Sequence, residues 1–347
     1  MNFYSQPHRF YAGGDLHARN LYLHILDDQG KTRFEQDLPA TPDAFRHATG
    51  PFRDGLIVGV ECMCSWYWLA DLCEDHHIAF VLGHALYMKA IHGSKTKNDK
   101  IDAAKIAALL RGGLFPLAYV YPRALRATRD LLRRRTFLVR QCAQFLAHIQ
   151  NTNSQYNLPP LTQRITYAAN RTDLVERFPG PSVQRSIQTD LDLIAALDEQ
   201  IRTLELYLTR TAKIDDPQTY HLLKTIPGVG PILALILLYE IHDIHRFAEV
   251  GNFASYARLV RCQHESAGKI KGTGNKKIGN GHLRWALGEA ACLHLRGNDH
   301  AKQWLQRKTR KVGKPTALGI LTAKLGRCVY HLWRQQTAFD AQKFLTT

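Results

Sequence analysis

The sequence predicts an α/β amino-terminal domain, then a long-helix region, then a mainly α-helical carboxy-terminal domain. Three observations carry this. Strand-like segments fill the first hundred residues, two long stretches space their apolar residues by three or four, and a glycine turn near residue 228 joins two apolar helical segments. With 347 residues, 45% of them hydrophobic and 22% charged, the chain has length for about two cored domains and no compositional disorder.

The first region, residues 8–115, opens with YAGGDLHARN and LYLHILDD, which alternate or run apolar. Asp27-Asp28-Gln29-Gly30 then supplies turn chemistry before KTRFEQDLP, which makes a three-stranded meander. GLIVGVE (55–61) is a continuous apolar run ending on a carboxylate, the pattern of a buried strand. A helix at 66–75, a strand at 78–82 and a helix at 99–111 follow, the last stopped by Gly112-Gly113.

Residues 116–215 read as long helices. The segment 122–155 carries Leu131, Leu132, Leu138 and Phe145, and 183–213 carries Leu191, Ile194, Leu197, Ile201, Leu204 and Leu208. Such spacing suits a coiled-coil seam between protomers or a helix pair within one chain, with the Asn/Pro-rich NTNSQYNLPP at the tip. Residues 216–340 are mainly helical.

A formal net charge of +16 predicts a polyanionic partner, nucleic acid or an anionic membrane surface. The surplus is local. Residues 258–334 hold seventeen Lys and Arg against Glu265, Glu289 and Asp299, and residues 111–140 hold eight Arg against Asp130 alone. Charges this dense repel unless a polyanion compensates them, so both stretches read as phosphate-binding surface. Membrane insertion is not expected, because the longest apolar run, 231–239, is about half the ~20 residues of a span. MNFYSQPHRF contains no apolar secretion signal, and seven cysteines without a regular framework fit a reducing compartment. A cytoplasmic, nucleic-acid-facing protein is the expectation.

Asp15 follows a strand and two glycines, Glu61 ends another strand, and Asp99 and Asp102 lie three apart on one helix face. A phosphoryl-transfer site with two Mg²⁺ ions requires such carboxylates, whose hard oxygens bridge ions about 3.5–4 Å apart. Singly, each acid has an ordinary reading: a turn cap, a loop start, or a surface pair with Lys97, Lys100 or Lys105. Together they favour the metal site, and β-β-β-α-β-α with acids at these points resembles the RNase H-like nuclease fold. Cys62, Cys64, Cys73, His76 and His77 are a competing zinc group, but they lack the usual CxxC spacing.

LKTIPGVGP (223–231) has the signature of a helix-hairpin-helix, in which the N–H groups of Gly228 and Gly230 approach a phosphate. The same turn also serves as a plain helix connection. Further on, Ser266 sits in a polar, basic, glycine-flanked loop. It is a nucleophile if its neighbours activate it and an ordinary loop serine otherwise. Lys269, Lys271, Lys276, Lys277, Arg284, Lys308, Arg310 and Lys311 are the cations expected to meet nucleic acid.

GGDLH (13–17), Glu61 after its apolar strand, KNDKIDA (97–103), TIPGVGP, Arg246-Phe247, ESAGK, KIGN and LRWAL occur in order over nearly the whole chain. They resemble the DEDD transposases of insertion sequences, the IS-one-ten family, and YARLVRC is similar to its IS-one-eleven-eleven subgroup. The resemblance implies a RuvC-like DEDD domain over 8–115, a coiled-coil insertion over 116–215, and a transposase domain with a catalytic serine over 216–340. It implies Mg²⁺, two ions, held by Asp15, Glu61, Asp99 and Asp102. Ser266 would form a phosphoserine link to DNA, with Thr273 and Ser255 as nearby rivals. It further implies a homo-oligomer, dimer or tetramer, guided by a structured non-coding RNA that pairs with donor and target DNA. The alternative is a metal-dependent, structure-specific nuclease of the junction-resolvase kind, using the acids without a covalent intermediate. The ESAGK–KIGN segment is what separates the two.

Overall fold

The computed structural model describes residues 2–91, 98–260, 264–272 and 277–346, and the chain divides into two compact units, Met1–Ala124 and Leu125–Thr347. The first unit is a mixed sheet between helices. Its strands are β1 (Phe3–Tyr4), β2 (Phe10–Leu16), β3 (Asn20–Asp27), β4 (Thr32–Pro39), β5 (Leu56–Glu61), β6 (Ala79–Gly83) and β7 (Phe115–Ala118). Its helices are α1 (Pro42–Thr49), α2 (Tyr67–Asp75), α3 (Ala85–Ile91) and α4 (Asp99–Arg111). The sheet order is β1-β7-β6-β5-β2-β3-β4. β2, β3 and β4 form the antiparallel meander, while β2–β5 and β5–β6 pair in parallel. This arrangement is compatible with the RNase H-like expectation.

Strand alternation sorts the side chains by face. Phe10, Ala12, Leu16, Val58 and Val60 pack with Phe45 of α1 and with Leu69 and Cys73 of α2. On the other face, Tyr11 and Ile57 pack with Ile106, Leu109 and Leu110 of α4. Gly13 is what lets α4 lie so close: a Cβ there would stand 2.2 Å from the Ala103 carbonyl oxygen and 2.4 Å from the Ala107 nitrogen. The meander, β5, α2, β6 and α4 were legible in the sequence, and Gly112 caps α4 as expected. β1 and β7 were not, because two and four residues carry no alternation of their own and each is completed by the other's ladder.

α5 (Arg123–Gln155), which from Leu125 onward belongs to the second unit, and α6 (Pro181–Asp215) form an antiparallel hairpin. Arg135 Nε donates to Glu205 at 2.9 Å, and His148 Nδ1 lies 2.5 Å from Asp190, so one helix advances as the other returns. Ile149, Ile187 and Ile194 share a core with Ile165, Leu174 and Phe178 of the connection. The heptad-like stripe is thus used within the chain. Asn151 to Gln155 continue α5 rather than turn, and the reversal occupies 156–180, where Asn153 donates to the carbonyls of Leu158 and Pro159.

The remaining elements are α7 (Pro217–Lys224), α8 (Pro231–Ile241), α9 (Val250–Tyr256), β8 (His264–Ser266), β9 (Lys269–Gly272), α10 (Gly281–His294), α11 (Asp299–Val312), α12 (Lys314–Gln335) and α13 (Ala341–Thr346). α8, apolar except for Tyr239 and Glu240, is buried from Leu233 onward against α6, α7 and α10. β8 and β9 are a departure from the helical expectation. They pair around Ala267-Gly268, whose φ values of +53° and +70° suit the two central residues of a type I′ turn. Among the described residues, no helix is long and apolar enough to cross a membrane.

Candidate functional site

The amino-terminal acids gather at one edge of the sheet. Asp15 stands one residue beyond the registered pair Gly14–Val60, so it lies beside Glu61 at the carboxyl ends of two parallel strands. Both share the strand face of Gly13 and Gly59, the face that α4 covers. Asn98 starts α4 by accepting the Ile101 N–H at 2.8 Å, which puts Asp99 and Asp102 in the first turn, where the helix dipole favours carboxylates.

Within this group the structure brings Asp15 and Asp99 together around His17, a residue outside the four expected acids. His17 Nε2 lies 3.5 Å from Asp15 Oδ2 and 3.6 Å from Asp99 Oδ1. One donor atom from each residue falls within 4.8 Å of the other two, the only such His/Cys/Asp/Glu group among the described residues. Glu61 and Asp102 stand outside that trio, and Asp102 Oδ1 is 3.7 Å from Lys105 Nζ. The signal for His17 was present: it follows Asp15 by two residues, the spacing that keeps side chains on one strand face.

Around the edge, Lys100 Nζ reaches Glu35 Oε1 at 2.5 Å and the Tyr22 hydroxyl donates to the same oxygen at 2.8 Å. The Lys100 hydrogen bond, then that of Tyr22, holds the Glu35 carboxyl below its ordinary range. These contacts tie the first turn of α4 to β4. The cysteine group offers no such centre. Cys62 and Cys64 are exposed and Cys73 is buried, its thiol pushed up to about 12 by burial, and no three ligand atoms of this group gather within reach of one ion among the described residues.

In the second unit, Ser266 ends β8 opposite Lys269, and both are exposed, as are Lys271 and Lys277. Lys276 and Thr273 lie outside the described residues. The stems of this hairpin are fastened. Arg258 Nε donates to the carbonyls of Ile278 and Gly279 at 3.1 and 2.9 Å, and the Asn280 N–H donates to the Tyr256 carbonyl at 2.6 Å. Asn280 also caps α10, accepting from His282 and Leu283, and its amide donates to Glu240 at 2.8 Å.

Glu240 is 1% exposed and receives Arg129 Nε at 3.0 Å and Arg133 Nε at 2.6 Å. Burial alone would raise its pKa. The Arg133 hydrogen bond and the charges of Arg129 and Arg133 outweigh that and hold it below the ordinary value. This corrects half of the reading of residues 111–140 as a phosphate surface: Arg126 is buried, and Arg129, Arg133 and Arg135 meet acids of the same chain, while Arg111, Arg134 and Arg140 stay exposed, as does Arg123 beside Asp75. Residues 258–334 differ. Among the described residues, Lys269, Lys271, Arg284, Arg310 and Lys311 face solvent with no acidic partner, and Lys308 lies over the Trp304 ring. Gly230 is exposed at the start of α8. Gly228, with φ of +94°, is pressed on α10, where a Cβ would meet the His294 nitrogen at 2.5 Å.

Residues 12–157 match the DEDD transposase model of the IS110 type, and residues 220–306 match the transposase IS116/IS110/IS902 family, between them covering most of the chain. The chain is 26% identical to the transposase for insertion sequence element IS1328 of Yersinia enterocolitica, over 96% of this chain and 99% of that one. It is 24% identical to a probable family 20 transposase of Pseudomonas aeruginosa, over 82% and 85% of the two chains. It is 25% identical to the transposase for insertion sequence element IS1111A of Coxiella burnetii, over 70% and 68%. With its two halves matched in order to models of one kind, the chain belongs to the IS110/IS116/IS902 family of DEDD insertion-sequence transposases, enzymes that cut and join DNA.

Proposed function

We propose that this transposase is an RNA-guided DNA recombinase that uses a metal-binding carboxylate edge and a serine nucleophile. The observation that supports the first part is the convergence of Asp15 and Asp99 on His17 beside Glu61, with Asp102 one helical turn along α4. The donor set fits a divalent ion: carboxylate oxygens on one sheet face, with Asp99 and His17 more than half exposed to solvent. Asp15, Glu61, Asp99 and Asp102 would hold Mg²⁺, as two ions. Bound there, Mg²⁺ would stabilise charge on the phosphoryl oxygens.

Ser266 is placed by β8 at an exposed hairpin corner beside Lys269, which suits attack on a large, polyanionic substrate. Its Oγ would form a bond to phosphorus as one bridging P–O bond breaks, the departing sugar oxygen taking up the proton. The serine ester keeps the energy of the broken bond, and a hydroxyl of a second DNA end can then displace the serine. The unpaired cations of residues 258–334 would hold donor DNA, target DNA and a structured guide RNA, with the protein acting as a homo-oligomer.

The test is to incubate the protein with element-end DNA and co-purified RNA, denature, digest, and search for a DNA-linked peptide. An adduct at Ser266, absent from Ser266→Ala and from Asp102→Asn, is the expected result. Cleavage that persists in Ser266→Ala with no adduct would replace this reading with the resolvase-like nuclease.

A further inference from the structure

We infer that His17 is itself a metal ligand of the carboxylate edge, which makes that edge a mixed nitrogen–oxygen site that prefers Mn²⁺ to Mg²⁺. The inference rests on the acid-site reading above and adds a residue and an ion preference to it.

The geometry at Nε2 is the reason. One nitrogen stands almost equally far from two carboxylate oxygens, 3.5 Å from Asp15 and 3.6 Å from Asp99. Both distances exceed the roughly 2.7–3.2 Å of an N–H···O bond, and one N–H can point at only one of them. An unprotonated Nε2 in that position would turn its lone pair toward two negative oxygens. A cation among the three resolves both problems. Ligands at about 2.0–2.2 Å from one ion stand roughly 3.0 Å apart at right angles and roughly 3.4 Å apart at tetrahedral angles. The observed spacings are only slightly wider.

The local fold presents His17 for this. The Asp15–Leu16–His17 alternation brings Asp15 and His17 to one face at the end of β2, and the His17 N–H is fixed by the Asn20 carbonyl at 2.8 Å. The His17 side chain is 52% exposed and Asp99 is 57% exposed, so an ion can enter and keep water among its ligands. Mn²⁺, like Mg²⁺, binds chiefly oxygen, but as a transition ion it accepts an imidazole nitrogen more readily than Mg²⁺ does. Replacing the imidazole with an oxygen donor therefore moves the site toward Mg²⁺.

The experiment titrates the full-length protein with manganese chloride, with and without competing magnesium chloride, and records pulsed electron paramagnetic resonance on the bound Mn²⁺. In the wild type, nitrogen modulation from a coordinated imidazole is expected. In His17→Gln, that modulation should vanish, and the preference for Mn²⁺ over Mg²⁺ should fall about tenfold. The wild-type spectrum needs no variant to fold, and thermal melting of His17→Gln checks the comparison. Oxygen-only ligation in the wild type, with binding lost in Asp15→Asn, would overturn the role of His17 and leave the acid site standing. Mn²⁺ binding equal in wild type and Asp15→Asn would remove the acid site and this inference together.

Discussion

The two arginine- and lysine-rich stretches look alike as sequence and differ in the fold in how many of their charges are taken up internally. In residues 111–140 half of the eight guanidinium groups turn inward: Arg126 is buried, Arg129 and Arg133 converge on buried Glu240, and Arg135 pairs with Glu205, while Arg111, Arg123, Arg134 and Arg140 stay exposed. In residues 258–334 Lys269, Lys271, Arg284, Arg310 and Lys311 stand exposed on helices and on the hairpin without an acidic partner, and three acids are too few to neutralise the stretch. Arg258 instead turns to backbone carbonyls, and Lys302 pairs with Asp299. A count of charges is therefore not a map of a nucleic-acid surface. What separates the stretches is whether a carboxylate elsewhere in the chain folds back onto them.

The most damaging way to break this contrast is Glu240→Gln. It leaves Arg129 and Arg133 facing a neutral group in the interior, at a cost of about 3–5 kcal/mol in denaturant unfolding. The pKa of Glu240 is lowered by folding, so its contribution is fully present above pH 4.5 and is lost as the pH falls through the lowered value. The stability gap between wild type and variant should shrink on acidification below pH 4.5. A gap that widened there would refute the pairing.

Reversing Lys308, Arg310 and Lys311 to Glu probes the other stretch. Binding of structured RNA should weaken at least about tenfold, and the slope of log affinity against log salt should drop by about 2, near 0.7 per lost phosphate contact. Stability should move by no more than about 0.5 kcal/mol. An unchanged slope would mean that this face does not meet the polyanion.

The smallest effect belongs to Arg135 and Glu205. A double-mutant cycle with Arg135→Gln and Glu205→Gln should give a coupling of about 0.5–1 kcal/mol, because the pair is 15% and 34% exposed at its two ends. The RNA salt slope should be the same in all four proteins. A shallower slope in Arg135→Gln would return this arginine to the phosphate surface.

Local pattern explains what could be read in advance. β5 is a continuous apolar run, and α4 has an Asn cap, a glycine stop and a clean span between them, so both were legible nearly to the residue. Asp15, Glu61, Asp99 and Asp102 stood out because each sits at the end of such an element. The β8–β9 hairpin is not legible in the sequence because its strands are three and four residues of mostly polar sequence, with no apolar face to reveal a period. Gly228 carried an ambiguous signal. The same glycine that suits a phosphate also suits the close backbone of α10, which is where the fold uses it.

By itself, the sequence determined the α/β start, the long helices, the family motifs and the surplus of positive charge, since these depend on spacing and composition along the chain. Only the tertiary structure decided which charges remain free and which residues share the carboxylate edge. Glu240 is 107 residues from Arg133 and 111 from Arg129, and Asp99 reaches His17 only because Gly13 admits α4 against the sheet. Pairings across such separations leave no period in the sequence, because the partner is set by how the elements pack.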